Sequence, residues 1–167
     1  MFRIGLLSDT HGFWDPEIAT HFSRCDEIWH AGDIGDPEVA DRLERIAPLV
    51  AVHGNIDGIV IRSRFPGHQR LTREGLDIWM THIGGYPGRY APEVRPAIFH
   101  HPPGLFISGH SHILKIMPDK KYGFLHMNPG AAGKSGMHLV RTLVRFEISL
   151  GKVSNADVIE LGPRSSA

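Results

Sequence analysis

Phe2-Arg3-Ile4-Gly5-Leu6-Leu7-Ser8-Asp9-Thr10-His11-Gly12 sets a short apolar run directly before a polar turn. A buried parallel strand that ends at a ligand-binding loop has this form. Asp15-Pro16-Glu17 follows, with Asp15 placed as an N-cap and Pro16 at the first helical position, predicting a helix to about Ser23. The pattern then recurs. Glu27-Ile28-Trp29-His30 reads as a second strand stopping at Ala31-Gly32-Asp33. Asp36-Pro37-Glu38 opens a second helix through Ile46, with Val39, Leu43 and Ile46 on one face. Leu49 to His53 is a third strand, ending at Gly54-Asn55. Two rounds of strand, polar turn and helix predict an α/β fold with helices packed on a sheet. Ligand sites in such sheets lie beyond the strand ends.

Outward from this core the chain becomes strand-rich. Gln69–Thr72, Leu76–Thr81, Leu105–Ser108, Ile113–Met117, Gly123–Met127, Leu143–Ser149 and Lys152–Glu160 read as strands. Turns such as Asp119-Lys120-Lys121 and Leu150-Gly151-Lys152 suggest hairpins between some of them. Pro92–His100 offers a helix that Pro96 keeps short. The sum is two packed sheets with helices outside. With 167 residues, 41% of them hydrophobic, the chain has material for one core, so 1–167 is expected to form a single domain with 162–167 as a frayed tail.

Lys and Arg together number 18, as do Asp and Glu, so the formal net charge is zero. No general field draws duplex nucleic acid or an anionic membrane, and attraction for phosphate must be local, as metal ions supply it. Cys25 is the lone cysteine, which rules out an intrachain disulfide and suits a reducing cytosol; it reads as a small buried hydrophobe, not a nucleophile. No apolar stretch approaches the ~20 residues of a membrane span. A soluble, cytoplasmic protein is expected.

The 12 histidines stand out in the composition. Taken in order, the polar residues at strand ends are Asp9, His11, Asp33, Asn55, His82, His110 and His112. Each has an ordinary explanation alone: a helix cap, a satisfied histidine, a turn asparagine. Together they form a set of imidazole, carboxylate and amide donors without a thiolate, suited to Mn, Fe, Zn, Ni or Co. Gly12, Gly32, Gly54, Gly84 and Gly109 lie beside them, as close packing of ligand loops requires.

Ser8-Asp9-Thr10-His11-Gly12, His30-Ala31-Gly32-Asp33, Val52-His53-Gly54-Asn55, Thr81-His82 and Ser108-Gly109-His110-Ser111-His112 resemble the signature blocks of the calcineurin-like metallophosphoesterases. With Met127-Asn128-Pro129-Gly130, the chain looks like the small bacterial and archaeal phosphodiesterase branch. The resemblance implies a four-layered α/β/β/α sandwich. It also implies two divalent transition-metal ions, Mn foremost, with Ni, Fe, Zn or Co as alternatives. Asp9, His11, Asp33 and His112 would hold one ion; Asp33, Asn55, His82 and His110 would hold the other, with Asp33 bridging. A hydroxide between ions about 3.5–4 Å apart would attack a small phosphate ester, most readily a diester. Asp33 and Asn55 are thus the candidate catalytic residues, Asn55 helping to neutralise phosphoryl charge.

One position departs from the pattern. Much of the family follows the third-block Asn with a His that protonates the leaving group; here Ile56 cannot donate. General-acid help is worth roughly 10²–10⁴ in rate, so a preference for good leaving groups, or slow turnover, is expected. His53, His100 and His101 are candidate substitutes, although a packed His53 and a solvated His100-His101 loop are the plainer readings. Tyr86 and Arg89, with His53, are candidate substrate contacts. Phe13 and Trp14 read as an apolar wall near the site or a staple for the first helix, Asp57 as a loop charge, and Asn128 as a turn or supporting residue. A different function is a scaffold for protein partners, as in the metallophosphoesterase-like subunit of retromer, and apolar late strands would suit a homodimer.

Overall fold

The computed structural model describes residues 1–165. In chain order the elements are β1 (Phe2–Leu7), α1 (Glu17–Phe22), β2 (Glu27–His30), α2 (Pro37–Glu44), β3 (Leu49–Ala51), α3 (Ile59–Arg64), β4 (His68–Arg73), β5 (Leu76–Thr81), β6 (Gly85–Tyr86), β7 (Arg89–Tyr90), α4 (Arg95–His100), β8 (Leu105–Ile107), β9 (Lys115–Asp119), β10 (Phe124–Asn128), β11 (Val140–Ser149) and β12 (Lys152–Pro163).

Two five-stranded sheets result, ordered β12-β11-β1-β2-β3 and β4-β5-β8-β10-β9. In the first, β1, β2 and β3 run parallel, and β11 is antiparallel to β1. In the second, β5, β8 and β10 run parallel, with β4 and β9 antiparallel at the edges. Alternation along β1 shows how the layers form. Ile4 and Leu6 face the other sheet, packing in one cluster with Trp29, Ile78, Met80, Leu105, Ile107 and Met127. Leu7 faces the opposite way, with Ile18 and Phe22 of α1 and Val39 and Leu43 of α2. A third cluster of Trp79, Phe106 and Phe124 under Val94 and Ile98 closes the far face. The order of layers is α/β/β/α, as the resemblance implied. Gly5 is where α1 meets the sheet: a Cβ there would lie 2.7 Å from the Phe22 ring, so only glycine admits that contact.

The α2 entrance follows the sequence reading, whereas α1 starts one residue later than read, with Pro16 in the cap position and Glu17 the first helical residue. Asp36 accepts from Glu38 N and caps α2, and Asp15 accepts from Glu17 N at 2.9 Å. Asp15 is also buried against Arg141, their 2.7 Å ion pair tying the start of α1 to β11. Trp14 packs against the helix-side core. α3 and the β6–β7 hairpin were not anticipated; with six and two-plus-two residues they are too short to show a period. The expected tail is corrected in part. Gly162 and Pro163 pair with Arg141 and Val140 in β12, and Arg164 donates to the His138 carbonyl, while Ser166 and Ala167 lie outside the described residues. Among the described residues no helix is long and apolar enough to cross a membrane.

Candidate metal centre

Every proposed ligand lies just beyond the carboxyl end of a parallel strand: Asp9 and His11 after β1, Asp33 after β2, Asn55 after β3, His82 after β5, and His110 and His112 after β8. The two sheets therefore converge their strand ends on one seam. The chain turns sharply to do this. Asp9, His11, Asp33, His110 and His112 all have positive φ, between 46° and 69°. Non-glycine residues in this left-handed region are disfavoured, and such strain persists where the surroundings over-determine it, commonly at functional sites. Two glycines make room for the side chains. A Cβ on Gly54 would overlap Asp33 Oδ1, and one on Gly32 would lie 2.6 Å from His82 Nδ1.

Two groups of ligand atoms form, Asp9 with His11 and His112, and Asp33 with His82 and His110, the atoms of each lying within 4.8 Å of one another. Asp33 Oδ2 reaches both, standing 3.4 Å from His11 Nε2 and 3.1 Å from His82 Nε2. Asn55 lies beside the second group, its Oδ1 3.0 Å from His110 Nδ1. The structure thus brings together all seven residues marked in the sequence, with Asp33 between the groups.

Each carboxylate has one oxygen anchored and one directed at the cluster. Asp9 Oδ2 accepts from Ser8 Oγ at 2.6 Å and from His110 N at 3.1 Å. Asp33 Oδ1 accepts from Ile56 N at 3.0 Å. Burial opposes the charge on Asp9, but the neighbouring imidazoles of His11 and His112, the charge of His82 and the Ser8 hydroxyl hold its carboxyl well below the usual range. Asp33 is likewise lowered, burial being outweighed by His82 and the Ile56 N–H. His82 is raised: burial disfavours its charge, yet Asp33 and Asp9 overcome that. These carboxylates stay ionised in the interior, which requires a positive partner.

Whether metal ions fit can be judged from the buried polar atoms. Asp9 Oδ1, His11 Nε2 and His82 Nε2 have no hydrogen-bond partner, although buried polar atoms are nearly always paired. His82 Nδ1 lies 2.7 Å from the Ala31 carbonyl, which can only accept, so Nδ1 keeps its proton and it is Nε2 that offers a lone pair to the cluster in the neutral ring. Oxygen and imidazole lone pairs left unpaired and facing one another are what a divalent ion takes, so the donor set fits.

Supporting residues appear that the sequence reading placed otherwise or passed over. Asp57, read there as a loop charge, is buried and accepts from Gly54 N, Gly35 N and Ile34 N at 2.8, 2.8 and 3.2 Å. It ties the Asp33 loop to the Asn55 loop. Asn128, expected as a turn or supporting residue, is one: its Nδ2 donates to Gly109 O and Ser111 Oγ, steadying the His110-Ser111-His112 turn. His30 is buried beneath the first loop, bonded to Thr10 Oγ1 at 3.0 Å. His138, not considered in the sequence, lies 3.2 Å from His112 Nδ1.

Two pockets border the cluster and share Ile83. One, of about 280 Å³, is lined by His53, Asn55, Arg62, His68 and His82. The other, of about 250 Å³, is lined by Tyr86, Arg89, Arg95 and His110. The candidate substrate contacts His53, Tyr86 and Arg89 thus all face space beside the site. His100 and His101 line neither pocket, sitting at the exposed end of α4. Cys25 is half-buried against the helix-side core, and burial pushes its thiol up to about 11, which suits an inert residue.

A family profile described as the calcineurin-like phosphoesterase superfamily domain matches residues 2–151. The chain is 33% identical over 134 residues to a probable metallophosphoesterase of Methanocaldococcus jannaschii, covering 77% of this chain and 67% of that protein. Among solved structures, an archaeal protein described as a novel phosphodiesterase superposes with a TM-score of 0.73 at 20% identity, covering 95% of this chain and all of that one. Vps29 of Entamoeba histolytica in complex with Zn²⁺ superposes with a TM-score of 0.72 at 16% identity, covering 98% and 100% of the two chains.

Proposed function

This chain belongs to the calcineurin-like phosphoesterase superfamily, and on that footing we propose that it hydrolyses small phosphodiesters with the help of two divalent metal ions. The observation that carries this is the set of buried, unpartnered lone pairs on Asp9, His11 and His82 facing one another at the seam of the sheets. Bound there, two divalent ions would acidify a water for in-line attack and neutralise charge on the phosphoryl oxygens.

The chain's own residues set the geometry. Asp33 stands between the groups and holds both in register, while Asp57 fixes the spacing of the Asp33 and Asn55 loops. Asn55 is exposed on the open side, its Oδ1 engaged toward His110, which leaves its Nδ2–H to donate to a phosphoryl oxygen. The diester preference rests on the two pockets flanking Ile83, because a diester carries two ester arms and a monoester one. Tyr86 and Arg89 would contact one arm, and His53 and His68 the other. His68 Nδ1 accepts from Trp79 Nε1–H at 3.2 Å, so its proton is on Nε2. That makes His68 a hydrogen-bond donor in the pocket beside Asn55, where Ile56 offers none.

The test is hydrolysis of bis(p-nitrophenyl) phosphate against p-nitrophenyl phosphate by metal-stripped protein with Mn, Zn, Ni or Mg restored. Metal-dependent turnover faster on the diester is expected. Two bound ions without turnover on either would move the assignment to a metal-bearing scaffold for protein partners.

A further inference from the structure

His138 lies in the loop between β10 and β11, and its two ring nitrogens have unequal partners. Nε2 is 2.8 Å from the Gly133 carbonyl oxygen. A carbonyl can only accept, so this nitrogen carries the proton and Nδ1 of the neutral ring carries a lone pair. That lone pair faces His112 Nδ1 at 3.2 Å. Two nitrogens meeting at this distance share one proton, and it must belong to His112 Nδ1. The remaining nitrogen of His112, Nε2, is then bare. It lies 3.1 Å from Asp9 Oδ1, within the first group of ligand atoms. Asp9 Oδ1 nevertheless has no hydrogen-bond partner, so the two atoms converge without bonding to each other.

We propose that His138 is the positioning residue for His112, fixing it through the Gly133 carbonyl in the tautomer that presents Nε2 to the first metal group. The inference deepens the metal reading above and rests on it for the use made of Nε2. The surroundings hold the relay in place. Gly133 N donates to the Asp9 carbonyl at 3.1 Å, so the acceptor at one end of the relay hangs from the ligand loop at the other. Arg164 Nε donates to His138 O at 2.9 Å. A Cβ at Gly136 would overlap His112 Nδ1 and lie 3.2 Å from His138 Nδ1, so glycine there leaves the two rings room to meet. They do so edge to face, with centroids 5.0 Å apart. An outer partner of this kind sets ring orientation and ligand basicity, and its removal costs about 10–100-fold in metal affinity.

The relay touches only one of the two groups, and the experiment uses that asymmetry. In metal-free, ¹⁵N-labelled full-length protein, long-range ¹H–¹⁵N spectra should show His112 protonated at Nδ1. His138→Phe keeps an aromatic ring and removes the acceptor. It should shift His112 toward the Nε2–H form and weaken one of two Mn²⁺ or Zn²⁺ sites by about 10–100-fold, leaving the other within about threefold. His138→Gln, whose amide oxygen can accept from Nδ1–H, should restore both readouts. An Nε2–H tautomer in the wild type, an unchanged tautomer in His138→Phe, or equal weakening of both sites would overturn the proposal. Wild-type protein that binds no metal while keeping the relay-dependent tautomer would remove the phosphoesterase reading and leave the positioning role standing.

Discussion

Asp33 Oδ2 stands 3.1 Å from His82 Nε2, and this contact joins the loop after β2 in one sheet to the end of β5 in the other. The apolar core between the sheets is continuous behind it, so the seam is closed by Leu, Ile and Met inside and by acidic and imidazole groups at its mouth. Ions at the mouth would act as a clasp. Asp33→Ala takes away the group shared by both sites and should abolish two-ion binding and turnover. Wild-type protein should gain about 2.7 kcal/mol of stability at a metal concentration one hundred times the dissociation constant. The variant should show almost none of that gain. Denaturation with and without Mn²⁺ measures it, and an undiminished metal-induced shift in Asp33→Ala would refute the bridging role.

Asp57 makes a second prediction that separates support from ligation. Its carboxylate accepts three backbone N–H groups from two loops, and among the described residues Gly54 N and Gly35 N have no second acceptor. Asp57→Ala leaves buried donors unpaired, each costing about 1–3 kcal/mol. A loss of stability of several kcal/mol is expected in urea unfolding, together with weaker binding at the site that uses Asn55. Asp57→Asn keeps one acceptor oxygen and should fall between. A loss of activity with wild-type stability would instead place Asp57 among the reacting groups.

The pattern of readable and unreadable features has a physical origin. Asp9, His11, Asp33 and Asn55 could be found because each follows a short apolar run within a few residues, and the glycines beside them mark close approach. The layered fold was legible for the same reason, from local period and cap chemistry. What escaped depends on partners distant in sequence. Arg141 meets Asp15 across 126 positions, and no local signal marks an arginine that will be buried. His138 reaches His112 across 26 positions from a loop that reads as plain Gly, Lys and Ser. Asp57 looked solvated because an aspartate in an Asn-Ile-Asp-Gly turn normally is; here the turn folds back on the Asp33 loop. Gly162-Pro163 suggested fraying, but β11 is long enough to pair with them.

Leaving-group chemistry supplies the next prediction. Ile56 is exposed and contributes only its backbone N–H to Asp33, whereas His68 carries its proton on Nε2 in the adjoining pocket. If the His68 Nε2–H hydrogen-bonds the departing oxygen, His68→Ala should slow alkyl phosphodiesters by about 10-fold while barely affecting p-nitrophenyl esters, whose leaving group needs no such help. Ile56→His should move the same ratio in the opposite direction. A plot of log kcat/KM against leaving-group pKa reads both, with a steeper slope for His68→Ala. Parallel lines for wild type and His68→Ala would exclude it as the donor.

Two buried histidines that are not proposed ligands set the acid limit of the fold. His30 is fully buried, its Nδ1 accepting from Gly32 N at 3.1 Å and its Nε2 bonded to Thr10 Oγ1 at 3.0 Å. His126 is equally buried, with Nδ1 3.1 Å from the Phe106 carbonyl and Nε2 without a partner. Burial lowers both to about 4 from the ordinary 6.5. In the unfolded chain each ring takes up a proton near pH 6.5, while in the folded protein it stays neutral until near pH 4. The unfolded state therefore binds more protons throughout that window, and stability falls as pH falls through it. Each histidine removes up to about 3 kcal/mol between pH 6.5 and 4. Urea unfolding in metal-free buffer should show a loss of several kcal/mol from pH 7 to pH 4.5, and ¹H–¹⁵N spectra should keep both rings neutral at pH 5.5. A flat stability profile over that range, or protonation of either ring above pH 6, would show that these histidines are not held neutral by the core.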